Sequence, residues 1–160
     1  MASGSKLRKH RCVLMVDDDP EDIFLTRDAL KEVAPQIEFK SLNDGQELMD
    51  YLSHTVKTVK NGKTSLPELI LLDLNMPRKG GFEALDEIRS NPCLKRIPVV
   101  ILSTSTTETD INRSFDAGAN SFLSKPQTYN ELLAVMHLTV DYWFGISRLP
   151  SNCPASDSCN

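Results

Sequence analysis

Residues 69–77, Leu-Ile-Leu-Leu-Asp-Leu-Asn-Met-Pro, decide the fold. Four consecutive apolar residues with no polar alternation suit a strand buried on both faces, and such strands belong to parallel sheets whose crossover helices cover both sides. The run stops on the carboxylate of Asp73, and Pro77-Arg78-Lys79-Gly80-Gly81 turns the chain before a helical pattern begins. A buried strand ending on an acid sets that acid at the rim of a sheet.

The same rhythm of short apolar runs and helix-length segments extends both ways and gives five strand–helix pairs. On the N-terminal side, 12–16 reads as a strand, Pro20 opens a helix over 20–33, and Pro35 stops it. A strand over 37–42, a helix over 44–54 and an exposed loop over 55–65 follow. Beyond the central run, 81–90 is a helix closed by Asn91-Pro92, 98–102 a second buried strand, and 107–117 a helix with Gly118 behind it. A short strand over 121–124, then Lys125-Pro126, leads to a last helix over 128–144. The expected fold is α/β: a five-stranded parallel sheet with helices on both faces.

At 160 residues the chain has room for one domain, and its 40% hydrophobic and 25% charged composition lies in the globular range. Residues 1–10 read as a basic solvated arm, 11–146 as the domain, and 147–160 as a tail with too few apolar residues to fold. A net charge of −4 gives no general attraction to nucleic acid or anionic membrane, so neither is expected as a partner. No apolar stretch approaches the ~18 to 20 residues of a membrane span, and the basic start lacks the apolar core of a signal peptide. A cytoplasmic location is expected. The cysteines at 12, 93, 153 and 159 have no metal-site spacing and are expected to be reduced, with Cys12 in the core.

Polar residues collect where strands end: Asp17, Asp18 and Asp19 after the first, Asp73 after the third, Ser103 after the fourth and Lys125 after the fifth. In an open parallel sheet those ends share one edge, where ligands bind. Carboxylates packed together repel unless a cation joins them, and oxygen ligands without His or Cys suit Mg²⁺, with Mn²⁺ as the alternative. Lys125 adds a charge for a phosphate oxygen and Ser103 a hydroxyl, which together make the parts of a phosphoryl-transfer site. Each has a plainer use: Asp17 to Asp19 ahead of Pro20 also suit a helix N-terminus, and Lys125 alone suits a solvated surface. The conjunction on one sheet edge favours the site.

Over residues 12–144 the sequence resembles the response-regulator receiver domains of two-component signalling, which have a flavodoxin-like (βα)5 fold. The family's acidic pair falls on Asp17 and Asp18, its phosphoacceptor on Asp73, its hydroxyl position on Ser103 and its lysine on Lys125. The resemblance implies Mg²⁺ bound directly by Asp18 and Asp73, through water by Asp17, and by the Asn75 carbonyl. It implies a switch from Ser103 to the aromatic position at Phe122, a cis Lys125–Pro126 peptide, and a sensor histidine kinase as phosphoryl donor. Thr104 replaces a commoner alanine, and Gly80-Gly81 a commoner Asp-Gly. The long 55–65 loop and the aromatic close at 141–150 are similar to small regulators of bacterial phytochromes, so a bacteriophytochrome is the expected kinase. Too few residues follow Phe144 for a DNA-binding domain, so the expected output is a protein contact or a further phosphoryl relay.

Two other classes compete. An Mg²⁺-dependent phosphatase of the haloacid dehalogenase type would need a DxD after the first strand, whereas Asp73-Leu74-Asn75 follows the third and lacks the second acid. A flavin binder would need a hydroxyl- and glycine-rich phosphate loop where this chain has three aspartates. The last helix carries apolar residues over half its circumference (Leu132, Leu133, Val135, Met136, Val140, Tyr142, Trp143 and Phe144), which predicts a homodimer through that face.

Overall fold

The computed structural model describes residues 11–59 and 64–150. Its strands are β1 (Cys12–Val16), β2 (Glu38–Leu42), β3 (Leu69–Leu72), β4 (Val99–Ser103) and β5 (Ser121–Ser124). The helices between and after them are α1 (Pro20–Val33), α2 (Gly45–Val59), α3 (Gly81–Ser90), α4 (Glu108–Asp116) and α5 (Tyr129–Val140). All strands pair in parallel in the order β2-β1-β3-β4-β5. The chain therefore reverses its direction of travel across the sheet between β1 and β3, and the crevice at that reversal is where such sheets bind ligands.

Strand alternation divides the interior into two cores. Leu14, Val16, Ile70, Leu72, Val99 and Ile101 face α2 and α3, meeting Leu48, Leu52, Leu85 and Ile88. Val13, Met15, Leu69, Leu71, Val100 and Leu102 face α1 and α5, meeting Ile23, Leu30, Leu132 and Met136. Each such large side chain contributes about 1.5–3 kcal/mol when fully buried. The central strand is apolar throughout because both of these cores claim its side chains.

Helix starts follow local chemistry. Asp19 caps α1 by accepting from the Glu21 N–H at 2.9 Å, Thr107 caps α4 and Thr128 caps α5. Gly118 stands just beyond α4 with φ +99, a conformation that glycine adopts at no steric cost. Gly81 answers to a close approach instead: a Cβ there would lie 2.3 Å from the Asp73 carbonyl oxygen and 2.9 Å from Leu74 Cα. Gly81→Ala is expected to destabilise the fold by about 1–3 kcal/mol, because backbone on both sides must shift. Urea denaturation checks it, and an unchanged midpoint would show that the β3–α3 turn yields freely.

Four expectations need correction. The helix over 44–54 continues to Val59, taking in part of the expected 55–65 loop. Thr55 is buried, its hydroxyl donating to the Tyr51 carbonyl at 2.8 Å, and Val56 and Val59 pack on the first core, so burial carries the helix past His54. The last helix is regular only to Val140; 141–146 widens into a π-type turn in which the Ser147 N–H reaches the Tyr142 carbonyl at 2.7 Å. No peptide bond among the described residues is cis, Lys125–Pro126 included. The trans bond suffices because the Lys125 N–H bonds the Ser103 carbonyl at 2.9 Å, which already points its side chain into the crevice. Cys93 is disulfide-bonded rather than reduced, whereas Cys12 is free and buried as expected. The basic arm at 1–10 and most of the tail lie outside the described residues. No helix among the described residues is long and apolar enough to cross a membrane.

Candidate phosphoryl-transfer site

The alternation that builds the two cores also sorts the polar residues beyond the strand ends. Continued one step, it carries Asp17, Asp73 and Lys125 toward the α1/α5 side, because Met15, Leu71 and Leu123 belong to that core. Ser103 goes to the opposite side with Val99 and Ile101, and Phe122 packs there too.

Asp17, Asp18 and Asp73 each offer a carboxylate oxygen within 4.8 Å of the others. Asp17 and Asp73 are buried and Asp18 is exposed. The Asp73 Oδ1 accepts from the Leu74 N–H at 2.9 Å, and Asp17 Oδ1 accepts from the Asp19 N–H at 2.9 Å. Lys125 Nζ lies 2.7 Å from Asp17 Oδ2, 2.8 Å from Asp22 Oδ2 and 3.4 Å from Asp73 Oδ2. The Asp17 contact is close but poorly aligned, so Oδ2 is buried with a counter-charge and without a directed donor.

Burial pushes Asp73 up to about 6, with the charge of Asp17 adding to the rise, and Lys125 only partly offsets them. Asp17 is raised by burial as well. Burial alone would lower the Lys125 ammonium, yet Asp17 and Asp22 beside it hold it above its ordinary value. In both acids burial is the larger cause of the rise, and the single Lys125 ammonium does not offset it. An orphaned Asp17 oxygen and an all-oxygen donor set fit a hard divalent cation, which would supply the missing charge.

A stability prediction follows from Asp73. With its folded value near 6 and an unfolded value of about 3.9, the folded state holds the extra proton between these limits. This residue's contribution therefore weakens as pH rises from about 4 to 6 and stays unfavourable above. Metal-free protein should lose part of its stability across that window, and Asp73→Asn should remove that loss. Denaturation midpoints measured at pH 4, 5, 6 and 7 check the sign; a midpoint difference between variant and parent that is the same at every pH would contradict it.

The structure brings Asp17, Asp18 and Asp73 together, with Lys125 beside Asp17 and Asp73. Ser103 is fully buried at the end of β4, its Oγ accepting from the Ser105 N–H at 3.2 Å, and Thr104 and Asn75 are exposed on the adjoining turns. Asp19 takes the plainer role and caps α1. Asp22 was missed: an acid in the first turn of a helix is ordinary. Only the packing of that turn against the β5–α5 connection reveals its contact with Lys125.

The family model for the response regulator receiver domain matches residues 13–137. The chain belongs to this family. It is 36% identical over 141 residues to the response regulator Rcp1 of Synechocystis sp., covering 88% of this chain and 94% of that protein. It is 33% identical to the "Probable methanogenesis regulatory protein FilR2" of Methanothrix harundinacea, covering 86% of each. The crystal structure of the phosphorylated cyanobacterial phytochrome response regulator RcpA superimposes with a TM-score of 0.77 at 37% identity, covering 89% of this chain and 100% of that one. The Mn²⁺-bound form of Rcp1 does so with a TM-score of 0.76 at 35% identity, covering 88% and 99%. The chain is a signalling receiver close to phytochrome response regulators, and the phosphatase reading falls away.

Proposed function

We propose that Asp73 accepts a phosphoryl group from a phosphohistidine of a sensor histidine kinase, with Mg²⁺ held by Asp17, Asp18, Asp73 and the Asn75 carbonyl. The observation that carries this reading is the convergence of the Lys125 ammonium on buried Asp73 at the edge where β1 and β3 end. An Asp73 carboxylate oxygen attacks phosphorus, the P–N bond breaks, and its electron pair leaves with the imidazole; the carboxylate has no proton to lose. Lys125 holds charge against the transferring oxygens, and the ion when bound neutralises more of it. Incubation with acetyl phosphate and Mg²⁺ should add one phosphoryl group to the intact mass; no addition with either a small donor or a kinase would overturn the reading.

The acyl phosphate is read out by a switch: the Ser103 hydroxyl turns toward the new oxygens and Phe122 fills the space it leaves. Ser103 is buried at the end of β4, between β3 and β5, and Phe122 lies on the neighbouring β5, which supports this route. Likeness to Rcp1 and RcpA supports a bacteriophytochrome as the kinase of the receiver over 11–146, and that kinase chemistry supports a cytoplasmic setting. The protein is a signalling module.

The dimer reading has a narrower basis than the helix pattern implied. Leu132 and Met136 are buried, and Leu133, Val135, Val140, Trp143 and Phe144 pack against the same core. Leu138, Tyr142 and Ile146 remain outward at 68%, 53% and 79% exposure, spaced every four residues along one side. We expect this stripe to pair two copies. Leu138→Glu should lower self-association by about tenfold or more, measured by sedimentation across a concentration series. A monomer at every concentration, phosphorylated or not, would eliminate the dimer.

A further inference from the structure

Lys125 has three N–H donors and meets three carboxylates, those of Asp17, Asp22 and Asp73. Two of them belong to the group whose oxygens converge for a cation; Asp22 does not. Asp22 stands on the first turn of α1 with its side chain 35% exposed, against 1% for Asp17 and 8% for Asp73. A divalent ion among Asp17, Asp18 and Asp73 draws their oxygens to itself and repels the ammonium beside them. The Lys125 side chain is only 12% exposed, so water cannot freely replace the acceptors it loses. Its hydrogen bond to Asp22 Oδ2, at 2.8 Å, is the contact the ion does not contest.

We propose that Asp22 is a positioning residue for Lys125: it keeps the ammonium anchored beside Asp73 when an ion takes Asp17, and thereby favours binding of the ion. Without Asp22, Lys125 leans wholly on Asp17 and Asp73 and competes with the ion for both. This rests on the metal reading of the acidic group, and the experiment separates the two.

The full-length unphosphorylated protein is titrated with Mn²⁺ by calorimetry, together with Asp22→Asn, Asp22→Glu, Glu21→Gln, Lys125→Gln and the Asp22→Asn/Lys125→Gln double variant. Glu21→Gln removes an equal charge from the same turn and reports the general electrostatic effect. Asp22→Asn should weaken Mn²⁺ binding by about five- to tenfold, Glu21→Gln by less than about twofold, and Asp22→Glu should recover most of the affinity. In the Lys125→Gln background, adding Asp22→Asn should change affinity by less than about twofold, because the anchored group is gone. Wild-type binding with Asp22→Asn equal to Glu21→Gln would overturn the anchor alone, as would an equal loss with and without Lys125. A wild type that takes up no Mn²⁺ would overturn the metal reading and the anchor with it.

Discussion

Asp73→Asn should gain no phosphoryl group under Mg²⁺ and a small phosphodonor, where the parent gains one. The amide is a poor nucleophile and removes the charge that Lys125 faces at 3.4 Å, so attack and the balance of the site fail together. Neighbouring acids are badly placed to substitute. Asp17 is fully buried with Oδ1 engaged by the Asp19 N–H, and Asp18 is exposed at the rim. Asp73 follows the middle strand of the sheet and, unlike fully buried Asp17, keeps 6% of its surface open beside the Lys125 ammonium. Intact-mass analysis decides the matter, and a phosphoryl group on the variant would move the acceptor to another residue.

The second large effect is expected from Asp18→Ala. Asp18 is the exposed member of the acidic triad, the one a hydrated ion meets first, and its loss removes one carboxylate of three. Because the ion contributes several kcal/mol to phosphoryl transfer, labelling by the small donor should slow by about a hundredfold or more. Mg²⁺ affinity should fall with it. Unchanged labelling in Asp18→Ala, with the parent requiring Mg²⁺, would refute the role given to Asp18.

The sheet was legible because its signals are local. The unbroken 69–72 run, Pro20 at a helix start, Pro35 past its end and Gly118 behind α4 each constrain the backbone within a few residues. The convergence of Asp17, Asp73 and Lys125 was legible because strand ends in a parallel sheet must share an edge. What escaped depends on packing between distant segments. Arg89 donates to the Gly118, Lys95 and Ile97 carbonyls and to Asn120 Oδ1, tying α3 to the loops around β4 and β5, and nothing near Arg89 in sequence announces that. Arg78, with φ +63, lies against buried Asp44 at 2.6 Å and fastens the β3–α3 turn to the start of α2. Asp22 escaped for the same reason. The α2 boundary escapes the sequence because Thr55 and Thr58 have weak helix propensity, which the burial of Thr55 and the packing of Val56 and Val59 on the core override.

The central claim is that the phosphoryl group resides on Asp73 as an acyl phosphate. Borohydride reduces an acyl phosphate to an alcohol, so treating the phosphorylated wild-type protein should convert the carrying aspartate to homoserine, and peptide mass mapping then reads its position. The account predicts homoserine at residue 73 and at no other aspartate. Homoserine at Asp17 or Asp18, or a phosphoryl group that survives borohydride without leaving homoserine at all, would contradict it.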